Sequence, residues 1–246
     1  MKYKFYTIYA YLLLTILLVP ALLAYCMIRI FVKYPSQMKA VYAVNRIVIS
    51  IWSRMVGIKF HVKHRERADR KENYIVVMNH VNLTDIFLVN SCLNIPGKPL
   101  IKKETLKIPI LGWLFGMTAV TVDRGAKKSR NSAYFALKNA LLKGDSLLIF
   151  PEGSRNNSNL PLNNFNLGAF RLSIESGIKI LPVVAINSRS LGFGKSLIIK
   201  PRAAELHYLP PMDPNNFDGS AEKLKEHCFN CMKNEILAAD DYFRTN

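Results

Sequence analysis

The distribution of apolar and polar positions divides the chain into two unlike parts. From Phe5 to Ile28 there are 24 residues without a charge. As a helix this run would extend about 36 Å, enough to cross the hydrocarbon of a bilayer. Lys2 and Lys4 precede it, and Arg29 and Lys33 follow it. The run is long and Tyr25-Cys26 lacks a small-residue cleavage pattern, which argues against a removed signal peptide. Pro20 can kink the helix, so an interfacial or re-entrant anchor fits the pattern as well as a full crossing. After Pro35 and Ser36 the pattern becomes amphipathic. Val41, Val44, Val48, Ile51 and Met55 recur at three–four spacing, with Lys39, Arg46 and Arg54 on the other face. Such a helix either lies on an anionic bilayer with its basic side toward head groups or packs on the domain. The adjoining apolar run favours the bilayer.

Further along, short apolar runs alternate with helix-like stretches. The pattern predicts strands at Ile75–Met78, Ala119–Val122, Ser146–Phe150, Lys179–Ile186 and Ser196–Ile199. It predicts helices at Ile86–Leu93, Ser129–Lys143, Leu167–Ser176 and Ala221–Ala239. This alternation implies an α/β layered domain with a largely parallel sheet flanked by helices. The expected division is residues 1–58 as N-terminal membrane-anchoring helices and residues 59–246 as the α/β domain. In such sheets chemistry gathers at the carboxyl ends of strands. Asn79-His80 follows the first predicted strand, Asp123-Arg124 the second, and Pro151-Glu152-Gly153 the third. Three strand ends of this kind can converge on one cleft.

Charge narrows the partners. The 246 residues carry a net charge of +17, with a pI near 9.8. That excess calls for an anionic partner: nucleic acid, a membrane surface or a phosphorylated substrate. From Arg29 to Lys71 eleven Lys or Arg stand against two acids, beside the apolar run. This points to lipid and to a catalytic domain on the cytoplasmic face. No zinc-finger spacing, RNP-type aromatic motif or basic-zipper pattern is present, so no nucleic-acid partner is expected. Four cysteines make no disulfide framework, and Cys228-x2-Cys231 has no second pair to complete a zinc site. No metal and no cofactor are expected. His61, His64, His207 and His227 have no partner at a recognisable spacing and are read as surface or packing residues.

The sharpest chemistry lies at His80 and Asp85. An imidazole near neutrality can take a proton from an alcohol, and a carboxylate on its other nitrogen fixes the tautomer. No Ser or Cys nucleophile is needed if the substrate brings its own hydroxyl. Taken alone, the pair reads equally as a capping Asp and a loop histidine. Thr84 and Asp85 are good helix-start residues. In the loop from Phe150 to Arg155, Gly153 permits a special turn and Arg155 offers a planar fork suited to phosphate. Glu152 can orient that Arg or hold a loop amide. The sequon at Asn82 lies inside the proposed active loop, so a glycan is not expected there.

In order along the chain, Asn79-His80 with Asp85, Val122-Asp123-Arg124, Phe150 to Arg155, and Leu181-Pro182-Val183 resemble the motifs of the glycerolipid acyltransferase family, specifically the lysophosphatidic acid acyltransferases. Ile101 to Gly112 resembles the family's lysine-containing stretch between its first two motifs. The resemblance covers about Ile75 to Pro201. It implies the glycerolipid acyltransferase fold and a membrane lipid partner, with lysophosphatidate as acceptor. It also implies an acyl thioester donor carried on CoA or acyl carrier protein. His80 resembles the general base and Asp85 its orienting partner. Asn79, Arg124, Glu152, Gly153, Ser154 and Arg155 resemble the acceptor-binding positions, with Lys102 an added phosphate contact. Ser154 stands where the family commonly has Thr, and Asn166 where it has Lys. These departures bear on the acceptor, for which another lysophospholipid, an amino-acid-containing lipid or a lipid A precursor is the alternative. The reading from a different class is a non-catalytic, membrane-bound lipid- or RNA-binding protein.

Overall fold

A computed structural model describes residues 2–33, 36–107, 112, 116, 118–122, 127–192 and 197–244. The helices are α1 (Lys2–Phe31), α2 (Ser36–Met55), α3 (Thr84–Cys92), α4 (Lys127–Leu142), α5 (Gly168–Ser176), α6 (Ala221–Ala239) and α7 (Asp241–Arg244). The strands are β1 (Lys59–Lys63), β2 (Ile75–Met78), β3 (Gly97–Lys102), β4 (Val120–Val122), β5 (Ser146–Ile149), β6 (Ile180–Ile186) and β7 (Ala203–Tyr208). They form one seven-stranded sheet in the order β1-β7-β6-β2-β5-β3-β4. Every pairing is parallel except that of β6 with β7.

β2, β5 and β6 are buried along their whole length, which is why they read as unbroken apolar runs rather than alternating ones. Successive side chains still point to opposite faces. Val76 and Met78 of β2 join a core with Leu88, Trp52, Val183 and Leu206. Ile75 and Val77 join the other, with Phe170, Leu172, Leu224 and Met232. Helices α1–α3 therefore cover one face and α4–α6 the other.

Three strands were not legible in the sequence. β1 is an edge strand whose outward positions are Lys59, His61 and Lys63, so it lacks an apolar run. β3 carries Gly97 and Pro99, both poor strand residues. β7 buries His207 between Glu205 and Glu235, at 2.7 and 2.5 Å. That ion-paired centre hides the strand from a hydropathy pattern, and it supplies partners that the spacing around His207 did not suggest. The strand expected at Ser196–Ile199 is corrected. Ser196 lies outside the described residues, and Ile199 makes only an isolated bridge to Gly192.

The N-terminal helices pack on the sheet. Ala10 and Leu13 of α1, and Met38, Tyr42 and Trp52 of α2, belong to the same core as Val76 and Leu206. The Trp52 indole N–H donates to the Ala10 carbonyl at 2.8 Å, and the Trp52 ring lies 5.0 Å from that of Phe87 on α3. The stripe expected on α2 is corrected in part. Val41 and Val48 are buried, but Ile51 is 40% and Met55 53% exposed. The large Trp52 and Ile49 rotate the packed stripe toward themselves and leave those two outside. Arg46 is likewise turned inward. Its Nη2 donates to the Leu93 carbonyl at 2.6 Å, capping the end of α3.

On α1, Ala10, Leu13, Ala21, Tyr25 and Ile28 face protein. Phe5, Ile8, Leu12, Ile16, Val19, Leu23, Met27 and Ile30 stand exposed along the opposite side at helical spacing. The helix is long and apolar enough to cross a membrane.

Candidate active site

The site begins where β2 ends. Asn79 is buried, and both ends of its amide are spent on β6. Its Oδ1 accepts from Ala185 N at 2.7 Å, and its Nδ2 donates to Ala185 O at 3.1 Å. Asn79 thus locks the exit of β2 against its neighbour.

The next residue, His80, is released from the sheet. Its Nδ1 lies 2.8 Å from Asp85 Oδ2. That same oxygen accepts from the backbone N–H of Val81 at 2.7 Å and of Asn82 at 3.0 Å. Asp85 is fully buried in the first turn of α3, and all three of these contacts fall on its Oδ2. With Nδ1–H given to the carboxylate, Nε2 is left as the acceptor. Among the described residues nothing hydrogen-bonds Nε2. The imidazole stacks on Phe150, with centroids 4.2 Å apart and planes 26° from parallel.

The loop after β5 grips the His80 backbone from the adjacent strand. Glu152 Oε1 accepts from His80 N at 2.8 Å, and Oε2 accepts from Asn163 N at 2.8 Å. Asn156 N donates to His80 O at 2.7 Å. Burial pushes the Glu152 carboxyl above the usual glutamate value, against the pull of the two amides. Glu152 holds loop amides, the second of its two expected roles. No hydrogen bond or ion pair joins it to Arg155.

Gly153 adopts φ 72°, and a Cβ there would lie 2.8 Å from Asn166 Nδ2, so both conformation and space call for glycine. Asn166 donates from both its backbone N and its Nδ2 to Pro151 O, each at 2.8 Å. It closes the turn with a neutral amide. Ser154 and Arg155 are exposed. Arg155 immediately precedes Asn156, whose N–H donates to His80 O. Among the described residues Arg155 has no ionic partner.

β2 and β5 are adjacent and parallel, with β3 next. Their carboxyl ends therefore lie side by side at one edge of the sheet, where α/β folds gather their chemistry, and Lys102 ends β3 opposite Val122. The side chain of Lys102 and the whole of Asp123 and Arg124 lie outside the described residues. Sequence reasoning missed Phe150, Asn156 and Asn163 as members of the site. It met Asn82 only as a sequon, yet the Asn82 side chain is buried and binds two carbonyls of the loop after β6. Among the described residues no cluster of His, Cys, Asp and Glu could hold a metal, and the four cysteines are free thiols.

A buried carboxylate paired with an imidazole whose other nitrogen is unengaged, at the carboxyl ends of a parallel sheet, is an arrangement chemically suited to taking a proton from a hydroxyl. The family model "Acyltransferase" matches residues 59–186, just over half of the chain. The protein belongs to that family. It is 27% identical over 207 residues to the 1-acyl-sn-glycerol-3-phosphate acyltransferase of Saccharomyces cerevisiae, covering 80% of this chain and 68% of that protein. It is also 27% identical over 193 residues to the enzyme of that name from Escherichia coli, covering 76% of each. The crystal structure of the 1-acyl-sn-glycerophosphate (LPA) acyltransferase PlsC from Thermotoga maritima has the same fold. Its TM-score is 0.81 at 22% identity, over 96% of this chain and 95% of that one.

Proposed function

We propose that the protein transfers an acyl chain from a thioester to the free hydroxyl of lysophosphatidate, forming phosphatidate, with no cofactor. The observation that carries this reading is the 2.8 Å contact of His80 Nδ1 with a fully buried Asp85, which leaves Nε2 unengaged. Nε2 takes the hydroxyl proton as the oxygen attacks the thioester carbonyl carbon. The C–O ester bond forms, the C–S bond breaks, and the imidazolium returns its proton to the departing thiolate. Asp85 stabilises the transient imidazolium. Arg155 offers the acceptor phosphate a charge-assisted fork, with Lys102 and Arg124 as further cations. Ser154 and the Gly153 turn complete the acceptor rim. CoA and acyl carrier protein both fit the donor role.

The exposed apolar stripe of α1, together with Ile47, Ile51 and Met55 of α2, favours a protein seated in a lipid surface. The basic residues from Arg29 to Lys71 favour the cytoplasmic face. Asn166, a neutral residue sealing its own turn, is the observation that keeps other lysolipid acceptors in view. The test is an acceptor panel with purified full-length protein in detergent, using acyl-CoA and acyl carrier protein donors in parallel. Transfer to lysophosphatidate that is lost in His80→Ala is the expected result. Turnover surviving in that variant would remove His80 as the base. Binding of lysolipid without turnover would favour the non-catalytic reading.

A further inference from the structure

Asn82 is built into the site yet touches neither the imidazole ring nor the acceptor rim. Its backbone N–H donates to Asp85 Oδ2 at 3.0 Å. Its side-chain Oδ1 accepts from Thr84 N at 2.8 Å and from the Thr84 hydroxyl. Its Nδ2 donates to Ser188 O at 2.8 Å and to Gly192 O at 3.0 Å. One buried residue therefore places a donor on the catalytic carboxylate and at the same time grips a turn 106 residues away.

That turn is itself held from outside. Gly192 bridges Ile199 antiparallel, and Lys200 N donates to Leu191 O at 2.9 Å. The approach at Gly192 is close, since a Cβ there would lie 1.9 Å from Ile198 O. The segment it meets hangs on α1. Ile199 N donates to Thr7 Oγ1 at 3.1 Å, and the Tyr11 hydroxyl donates to Leu197 O at 3.1 Å. The contacts run without a break from the apolar helix through Ile199 and Gly192 to Asn82, and from Asn82 to Asp85.

We infer that Asn82 is a positioning residue of the acyl transfer, and that through it the seating of α1 sets the geometry of the His80–Asp85 pair. This rests on the function proposed above. The physical reason is that Asp85 Oδ2 takes three donors at fixed places, one of them the Asn82 amide. A shift of that amide moves the oxygen that orients the imidazole. Displacements of about 1 Å at a catalytic group can cost up to about a hundredfold in rate.

The experiment uses the full chain in phosphatidylcholine vesicles. Asn82→Ala removes the tie to the turn, and Asn82→Asp keeps the acceptor for Thr84 while replacing the two N–H donors. Thr7→Val with Tyr11→Phe cuts the α1 end of the path. Both Asn82 variants should lower kcat at least tenfold, counted per mole of folded enzyme from a thermal-unfolding measurement on the same preparation, while KM for acceptor and donor stays within about twofold. The α1 pair should lower kcat severalfold, and adding it to Asn82→Ala should cost nothing more, because the path is already cut. Amide hydrogen exchange over residues 80–86, read without any substrate, should quicken in all three. Tyr9→Phe, which removes a bond from α1 to the Met55 carbonyl instead, should leave it unchanged. Unaltered exchange and kcat in Asn82→Asp would overturn the inference, as would full additivity of the two lesions. If wild type fails to transfer acyl groups but the exchange pattern appears, the coupling stands and the function proposed for the site falls.

Discussion

Glu152 and His80 are joined side chain to main chain, Oε1 accepting the His80 N–H at 2.8 Å across the gap between two adjacent parallel strands. The second oxygen takes the N–H of Asn163. A carboxylate can accept both bonds, whereas an amide turns a donor toward one of the two N–H groups. Glu152→Gln should therefore leave one buried amide unsatisfied, costing about 1–3 kcal/mol of stability, and should lower kcat by misplacing the imidazole. Thermal unfolding and steady-state kinetics on the same preparation check both effects.

The same residue gives a pH signature. Burial holds the folded carboxyl above 4.5, its ordinary value. Between 4.5 and that raised value the folded protein binds a proton that the unfolded chain has released. By linkage, Glu152 then makes stability fall as pH rises through this window, and its contribution is level above it. Glu152→Gln should flatten that part of the stability curve. Denaturant unfolding from pH 4.5 upward measures it, and a variant curve parallel to wild type would mean that the shift is not seated at Glu152.

The His80–Asp85 pair was legible because it is local: five residues of chain, a strand end and a helix start suffice to place one beside the other. What surrounds it was not legible, because it depends on strand order. Glu152 reaches His80 only because β5 lies beside β2, and Asn79 is consumed only because β6 lies on the other side. The apolar periodicity found the central strands, where burial is continuous, and α6, where it recurs as a helical stripe, and failed at β1, β3 and β7. There, edge lysines, a proline or a buried ion pair break the pattern. One of the three residues of the basic face expected on α2 departs from it for a similar reason, while Lys39 and Arg54 are exposed. Arg46 is drawn inward by the carbonyl at the end of α3, a partner that no spacing along α2 reveals.

Asp85→Asn should retain the fold and lose activity. The amide fills the same volume and one oxygen can still accept from the loop. Being neutral, it cannot stabilise an imidazolium, and its NH2 can compete for the acceptor side of the ring. A fall in kcat of roughly a hundredfold to ten-thousandfold is expected, with KM for both substrates little changed. Single-turnover transfer would separate this from slow product release.

Arg155 should act on the acceptor alone. It is exposed, one residue before Asn156, which binds the His80 carbonyl, and among the described residues it has no ionic partner to lose. Arg155→Ala should raise KM for a phosphate-bearing acceptor by roughly ten- to a hundredfold, the worth of about 1.5–3 kcal/mol for a charged hydrogen bond. KM for the thioester should not move. Arg155→Lys should recover part of the loss, since it keeps the charge and gives up the planar fork. An equal change toward donor and acceptor would place Arg155 outside the phosphate site.

The exposed side of α1 offers a test of membrane seating that leaves the site untouched. Ile8, Leu12 and Ile16 lie on one face and are 57–63% exposed. Their neighbours Ala10 and Leu13 face the protein core, so replacing the outer three by serine leaves the packing of the helix on the sheet in place. Fully burying an aliphatic side chain of this size is worth about 1.5–3 kcal/mol. Three lost from a lipid-facing stripe should weaken binding to vesicles by at least a hundredfold, while kcat on detergent-dispersed acceptor stays near wild type. Vesicle sedimentation across a lipid titration measures the first and a detergent assay the second. Undiminished sedimentation would mean that this stripe is not the face that enters lipid, and would shift the burden to Ile47, Ile51 and Met55 of α2.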